Sequence, residues 1–203
     1  MDIKLPYETL LTEEEKSLLI KKCNIVKYAN HDIIFKQDTL TSHVMFIKKG
    51  LVKIYKEIRN DKVHIIRLKE TGNFIGLLSI FSEKNHQFSA ASVGESEICF
   101  IDFSAFKQVV MQNNTFAYHM ISLISQDSIF ILDKLVGQVY KQLPGRIADM
   151  LLYFSEVIYK SNRFTIPLTR KEMAEQAGTT KESLIRTLTE LKNDKITLAL
   201  RLS

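Results

Sequence analysis

The segment from Leu168 to Leu191, LTRKEMAEQAGTTKESLIRTLTEL, leaves a folding chain few choices. Thr169 followed three residues later by Glu172 is the signature of a capping box, so a first helix is predicted to start there. Met173, Ala174 and Ala177 give that helix one apolar face, with a small residue where another helix must cross closely. Gly178 then suits a sharp turn, because it takes positive φ without a Cβ clash. Thr179 or Thr180 caps a second helix, whose Leu184, Leu188 and Leu191 recur at spacings of four and three and form one inward stripe. Thr180, Lys181, Glu182, Ser183, Ile185 and Arg186 are left near its amino end. An ordinary helical hairpin with a solvated polar face would share the leucine spacing. The small residue, the glycine and the basic first turn together favour a pair that presents side chains to a DNA groove. Arginine can pair bidentately with guanine O6 and N7, glutamate can accept from cytosine N4, and threonine, serine or lysine can hold phosphates.

Charge supports this reading. Residues 141–203 hold 11 Lys/Arg against 7 Asp/Glu, whereas residues 1–140 hold 17 against 16. The positive surplus therefore gathers around the helix pair, as a polyanionic partner requires. The 203 residues, 45% hydrophobic and 25% charged, suit one large or two modest globular domains. No window approaches about 18 uncharged apolar residues, so no membrane helix is expected. The opening Met1-Asp-Ile-Lys-Leu-Pro has no secretory character, and a cytoplasmic location is expected. Cys23 and Cys99 are too few for a disulfide framework or a four-cysteine cluster, and two reduced, packed thiols are expected.

Upstream the pattern changes twice. An amphipathic helix is expected over 7–22, capped by Thr12 and led by Glu13, Glu14 and Glu15. From about Ile25 to Asp102 the period is two. Short strands such as Val44–Lys48, Leu51–Glu57, Ser89–Val93 and Glu97–Ile101 are separated by turn signals at Ala29-Asn30-His31, Lys49-Gly50, Arg59-Asn-Asp61, Thr71-Gly-Asn73 and Gly94-Glu95. Many short strands at regular spacing predict a sandwich or barrel. A long helix follows over 114–140. Ala117, Ile121, Ile124, Ser128, Ile131 and Leu135 recur in alternating fours and threes, which is a two-stranded coiled-coil seam. Phe116, Met120, Leu123 and Phe130 form a second row, so the helix needs two partners, one of them best supplied by a second copy of itself; a helix buried within a monomer is the alternative. Leu143-Pro-Gly145 breaks the pattern, a helix resumes at Arg146, and Phe164–Pro167 reads as a short strand entering the helix pair.

A β domain, a long helix and a carboxy-terminal helix-turn-helix in this order resemble the Crp/Fnr superfamily of bacterial transcription regulators. The resemblance covers nearly the whole chain and is carried by Phe46-Ile-Lys-Lys-Gly-Leu-Val-Lys-Ile-Tyr55, by Gly72-Asn-Phe-Ile-Gly76 and by Leu168–Leu191. It implies an α+β fold: an amino-terminal double-stranded β-helix or jelly roll of the cyclic-nucleotide-binding type over 1–113, a dimerisation helix over 114–140 and a winged-helix DNA-binding domain over 141–203. It further implies a homodimer on a near-palindromic operator with half-sites about one helical turn apart. Thr169, Arg170, Thr179, Thr180, Lys181, Glu182, Ser183 and Arg186 are the expected DNA-contacting residues. Arg186 and Glu182 would read bases, and Lys181, Thr180 and Arg170 would hold the backbone.

Two departures matter. The effector pocket of the resemblance maps to Gly76, Leu77, Leu78, Phe88, Ser89 and Ala90. Members that bind cyclic nucleotides carry a glutamate where this chain has Leu77 and an arginine where it has Phe88. A phosphate buried without a cation loses its hydration and gains little, so no useful affinity for cyclic nucleotides is expected. A small apolar effector, or a filled pocket with no ligand, are the two expectations that remain. The second departure is the tail, where Ile196–Ser203 leaves room only for a shortened wing. No cofactor or metal is expected: the count of cysteines excludes an iron–sulfur quartet, and His43, His64, His86 and His119 sit in no haem motif. Nothing suggests catalysis, since no nucleophile–base grouping or phosphate-binding glycine loop is visible. Double-stranded DNA and a second copy are the main expected partners, with RNA polymerase further along the pathway. The alternative is a ligand-sensing, protein-interaction module with a degenerate DNA-binding domain.

Overall fold

The computed structural model describes residues 4–58, 62–82 and 85–194. They form two compact units, one of residues 4–57, 68–82 and 85–129, the other of residues 58, 62–67 and 130–194. The observed class is the expected one: an antiparallel sheet, a long helix and a carboxy-terminal helix pair.

The sheet has six strands: β1 (Cys23–Tyr28), β2 (Ile33–Phe35), β3 (His43–Ile58), β4 (Lys62–Glu70), β5 (Phe74–Ile75) and β6 (Ser89–Asp102). Its order is β1-β6-β3-β4, with β2 added to β6 and β5 to β3. β1, β2 and β3 run antiparallel to β6. The period of two divides the apolar residues between two cores. Val44, Phe46, Cys99 and Ile101 face a cluster completed by Leu19 of α1 (Glu13–Lys21), Leu77 and Ile80 of α2 (Leu77–Ile80), Phe106 and Val109 of α3 (Phe103–Gln112), and Phe116 and Met120 of α4 (Asn114–Tyr140). Met45, Ile47 and Ile98, the alternating neighbours, face the other way with Ile34, Val52, Ile75 and Ala90.

Helix α1 starts later than the expected 7–22 because Thr12 closes a full capping box with Glu15. Before it, Glu8–Leu10 form only a single 3-10 turn behind Tyr7, whose φ is 59°. Two of the five expected turns, Lys49-Gly50 and Gly94-Glu95, are not turns, and Arg59-Asn-Asp61 lies outside the described residues. β3 and β6 each run through them, with the register shifting at Ile47/Lys49 and Lys49/Leu51. One extra residue on β3 and then two on β6 are absorbed as bulges, and Gly50 between them takes positive φ (103°) and lets the chains approach closely: a Cβ there would stand 2.7 Å from Glu95 O. The cysteines also differ from expectation. Rather than two separate thiols, Cys23 and Cys99 are joined sulfur to sulfur across β1 and β6, Cα to Cα 6.1 Å.

In the second unit, α5 (Leu143–Leu152) continues as a wider π turn over Tyr153–Ile158 and is followed by α6 (Arg170–Ala177) and α7 (Lys181–Asn193). The expected break at Leu143–Gly145 is instead a helix start. Pro144 lies in the first turn, where a missing N–H costs nothing. Of Phe164–Pro167, only Ile166 makes an isolated bridge. Lys134 Nζ donates to Ile65 O (2.5 Å) and Ile66 O (2.8 Å), and burial pushes its ammonium pKa down to about 8. The shortened wing expected over Ile196–Ser203 lies outside the described residues.

Candidate nucleic-acid interface

Each joint of the helix pair is fixed by a local bond. Thr169 Oγ1 accepts from Glu172 N (3.2 Å), and Glu172 Oε2 accepts in return from Thr169 N (2.9 Å) and the Thr169 hydroxyl (2.9 Å). Glu172 is itself buried, so this carboxylate serves the cap and is not part of the exposed surface. α6 ends at Gly178 in the left-handed conformation (φ 64°, ψ 48°), with Thr179 N donating to Ala174 O (2.9 Å). Thr180 rather than Thr179 is the cap of α7: its Oγ1 accepts from Ser183 N (3.3 Å).

Packing sets which side of α7 faces out. Leu184, Thr187, Leu188 and Leu191 are buried against α5 and α6, whose Met173, Ala174 and Ala177 are buried opposite. Thr180, Lys181, Glu182 and Arg186 are exposed, as are Thr169 and Arg170 at the start of α6, while Thr179 and Ser183 are half-buried. No hydrogen bond or ion pair with the described residues engages the side chains of Arg170, Lys181, Glu182 or Arg186. Lys181 and Glu182 thus lie unengaged in the first turn of α7, at the positive end of its dipole, with Arg186 one turn further on.

Two further residues brace the pair, and nothing local in the sequence singles them out. Arg146 of α5 donates from Nε to Ala177 O (3.0 Å) and from Nη1 to Lys141 O (2.9 Å), so one guanidinium ties the last turn of α6 to the end of α4. Gln138 of α4 lies against the turn: a Cβ on Gly178 would stand 2.5 Å from its Oε1. His64 bonds the Glu175 backbone, while burial and the nearby Lys134 charge hold its pKa below the ordinary imidazole value.

The six residues expected in an effector pocket fall in different surroundings. Leu77 is buried in the cluster with Phe46, Phe74 and Phe106, and Ala90 belongs to the opposite cluster with Met45 and Ile75. Leu78 and Phe88 are half-buried, and Lys56 Nζ stands 5.8 Å from the Phe88 ring centroid while donating to Gln87 O. Ser89 is fully buried and already occupied, accepting from Gln37 N (3.0 Å) and bonding the Tyr55 hydroxyl. Beside Gly76 (φ 78°) sits His86, 3% exposed, its ring stacked on Phe35 at 3.9 Å. Its Nδ1 has no hydrogen-bond partner among the described residues, and burial lowers its pKa below 6.5.

That histidine sets a pH dependence. Above pH 6.5 both the folded and unfolded states hold neutral imidazole, and His86 contributes no slope. Below it the unfolded chain takes up a proton that the folded one refuses. Stability therefore falls with pH from about 6.5 down to the depressed folded value, then levels. Thermal melts between about pH 7.5 and 5 are expected to show this loss, to which His64 adds in the same direction, and His86→Gln to lessen it. An unchanged slope in that variant would assign the acid sensitivity elsewhere.

Sequence comparison meets this geometry at both ends. Residues 25–113 match the model of the cyclic nucleotide-binding domain, and residues 145–201 match the Crp-like helix-turn-helix domain. The chain belongs to the Crp/Fnr superfamily. Among its relatives, the transcriptional activatory protein AadR of Rhodopseudomonas palustris is 24% identical over 84% of this chain and 72% of its own length. The cAMP-activated global transcriptional regulator CRP of Salmonella typhimurium is 22% identical over 91% of this chain and 90% of the relative. The structure of FixK2 from Bradyrhizobium japonicum shares the fold at TM-score 0.79 and 18% identity, covering 86% of each chain. As a Crp/Fnr protein, the chain is a transcription regulator with a DNA-binding helix-turn-helix and is not an enzyme. No helix among its described residues is long and apolar enough to cross a membrane.

Proposed function

We propose that this regulator acts as a cytoplasmic homodimer that inserts two copies of α7 into successive major grooves of a near-palindromic operator, and that it does so without a cyclic nucleotide. The observation that carries the reading is the exposed, unengaged set Lys181, Glu182 and Arg186 beyond the Thr180 cap, on a helix anchored by three leucines. Arg186 and Glu182 read base edges. Arg170, Lys181 and the hydroxyls of Thr169, Thr179, Thr180 and Ser183 hold phosphates.

Dimerisation is supported by α4. Tyr118, Ile121, Leu132, Leu135 and Val139 are exposed in the single chain, and with Ser125 and Ser128 they complete a row spaced three and four. That row shares Ile121, Ser128 and Leu135 with the seam read from the sequence. Ala117, Ile124 and Ile131 are half-buried beside it, and Ile124 leans on the core.

The Salmonella relative is named for activation by cAMP. In this chain Leu77 and Ser89 are committed to the protein's own packing and bonding, and Phe88 takes the place where the resemblance asks for arginine. Selection of bound fragments from random duplex DNA is expected to return a two-fold symmetric motif, with affinity unchanged by millimolar cAMP. Recovery of no enriched motif refutes the DNA reading, and a calorimetric cAMP isotherm in the micromolar range refutes the pocket reading.

A further inference from the structure

Cys23 and Cys99 are 76 residues apart in sequence but meet through sheet register. Ile25 pairs with Cys99 across β1 and β6. Cys23, two residues from Ile25, therefore shares a face with Cys99 and lies diagonally opposite it. Their Cα separation of 6.1 Å is within the range a disulfide spans. The two sulfurs differ in access. Cys99 is fully buried, whereas Cys23 is half-buried on β1, the terminal strand of the sheet order. Cys99 also belongs to the core cluster that holds Phe116 and Met120, the two buried residues of α4.

We propose that Cys23 and Cys99 are a peroxide-oxidised dithiol, the signal site of the β domain, whose state sets the DNA affinity of the regulator. The output half rests on the DNA-binding reading above; the sulfur chemistry does not. The Cys23 thiolate attacks one oxygen of hydrogen peroxide. The O–O bond breaks, Cys23 becomes a sulfenic acid and, with one proton, the first water leaves. The Cys99 thiol then attacks the sulfenic sulfur. The S–S bond forms, the S–O bond breaks, and the sulfenic oxygen leaves with two protons as the second water. Two thiols and one peroxide thus give one disulfide and two waters, with two electrons passing from sulfur to oxygen. A dithiol reductant returns both thiols by exchange.

Opening the bond moves the sulfurs from about 2 Å apart to van der Waals separation, about 3.5–4 Å. In a close-packed core that extra room must come from the cluster around Cys99, to which Phe116 and Met120 also belong. The state of the dithiol is thereby felt by the first turns of α4, the helix proposed to join the two copies.

The test uses the full chain, fully reduced and then treated with stoichiometric hydrogen peroxide. Peptide mapping is expected to yield a Cys23–Cys99 cross-link, and labelling after denaturation to fall from two thiols to none. A dithiol reductant should restore both. DNA affinity for the selected motif should differ at least about fivefold between the two states. Cys23→Ser and Cys99→Ala should each abolish that difference; Cys23→Ser, at the half-buried position, is the variant that leaves the core filled. The proposal is overturned if both thiols stay reactive, if Cys23 over-oxidises without the cross-link, or if the cross-link forms and DNA affinity stays the same. A chain that forms the cross-link reversibly yet binds no DNA in either state overturns the DNA reading and the proposed output, and leaves only the sulfur chemistry standing.

Discussion

Arg186→Ala is expected to weaken binding to the selected operator by about 1–3 kcal/mol, roughly 5- to 150-fold, while relaxing preference at a single base pair of each half-site. The arginine lies one helical turn beyond Glu182 on the exposed side of α7, and no described residue engages its guanidinium. Its loss therefore removes a donor fork from the groove without removing a bond from the fold. Leu184, Leu188 and Leu191 still seat the helix, so the melting temperature should not change. Lys181→Ala makes the contrasting control. A phosphate contact carries no sequence information, so that variant should weaken all sequences about equally and lower the salt slope by about one. Quantitative gel shifts against the selected motif and its single-base variants separate the two patterns. If Arg186→Ala keeps both parental affinity and parental preference, α7 does not read DNA through that residue.

The helix pair was legible because its instructions are local. Thr169 and Glu172 satisfy one another within one turn, Thr180 serves Ser183, and Gly178 needs only its own φ. What depended on distant partners was not. Gly50 and Gly94 carry positive φ, which suits a hairpin turn or a bulge equally well. The bulged register of β3 against β6 decided between them, and no local pattern encodes it. The meeting of Cys23 with Cys99 follows from the same register across β1. His86 looked like any isolated histidine, and only the fold stacks it on Phe35. Along α4 the difficulty was of another kind. Apolar residues occupy two sides of the helix, so the pattern fixed the period but not the phase. The phase was set when Phe116, Met120, Leu123 and Ile124 turned to the core, which left Tyr118, Leu132 and Val139 outside.

That outer row supports the second large effect. Ile121→Glu combined with Leu135→Glu is expected to convert a dimer to a monomer and to lower affinity for the two-fold operator at least about 100-fold. Ile121 is 61% exposed and Leu135 58% exposed in the single chain, so carboxylates there meet water and cost the monomer fold little. In the proposed dimer the same positions would face their counterparts. Two pairs of carboxylates would each lose hydration against a like charge, with no cation in the row to pair them. A monomer still presents α7 to one half-site, but it loses the effective concentration that tethering gives the second copy, about millimolar for closely linked sites. Half-site affinity should therefore persist while two-fold affinity collapses, and circular dichroism should show helix content unchanged. Light scattering reads the mass directly. Should the double variant remain a dimer with parental operator affinity, the two copies associate through another surface, and the exposed row of α4 needs a different occupant.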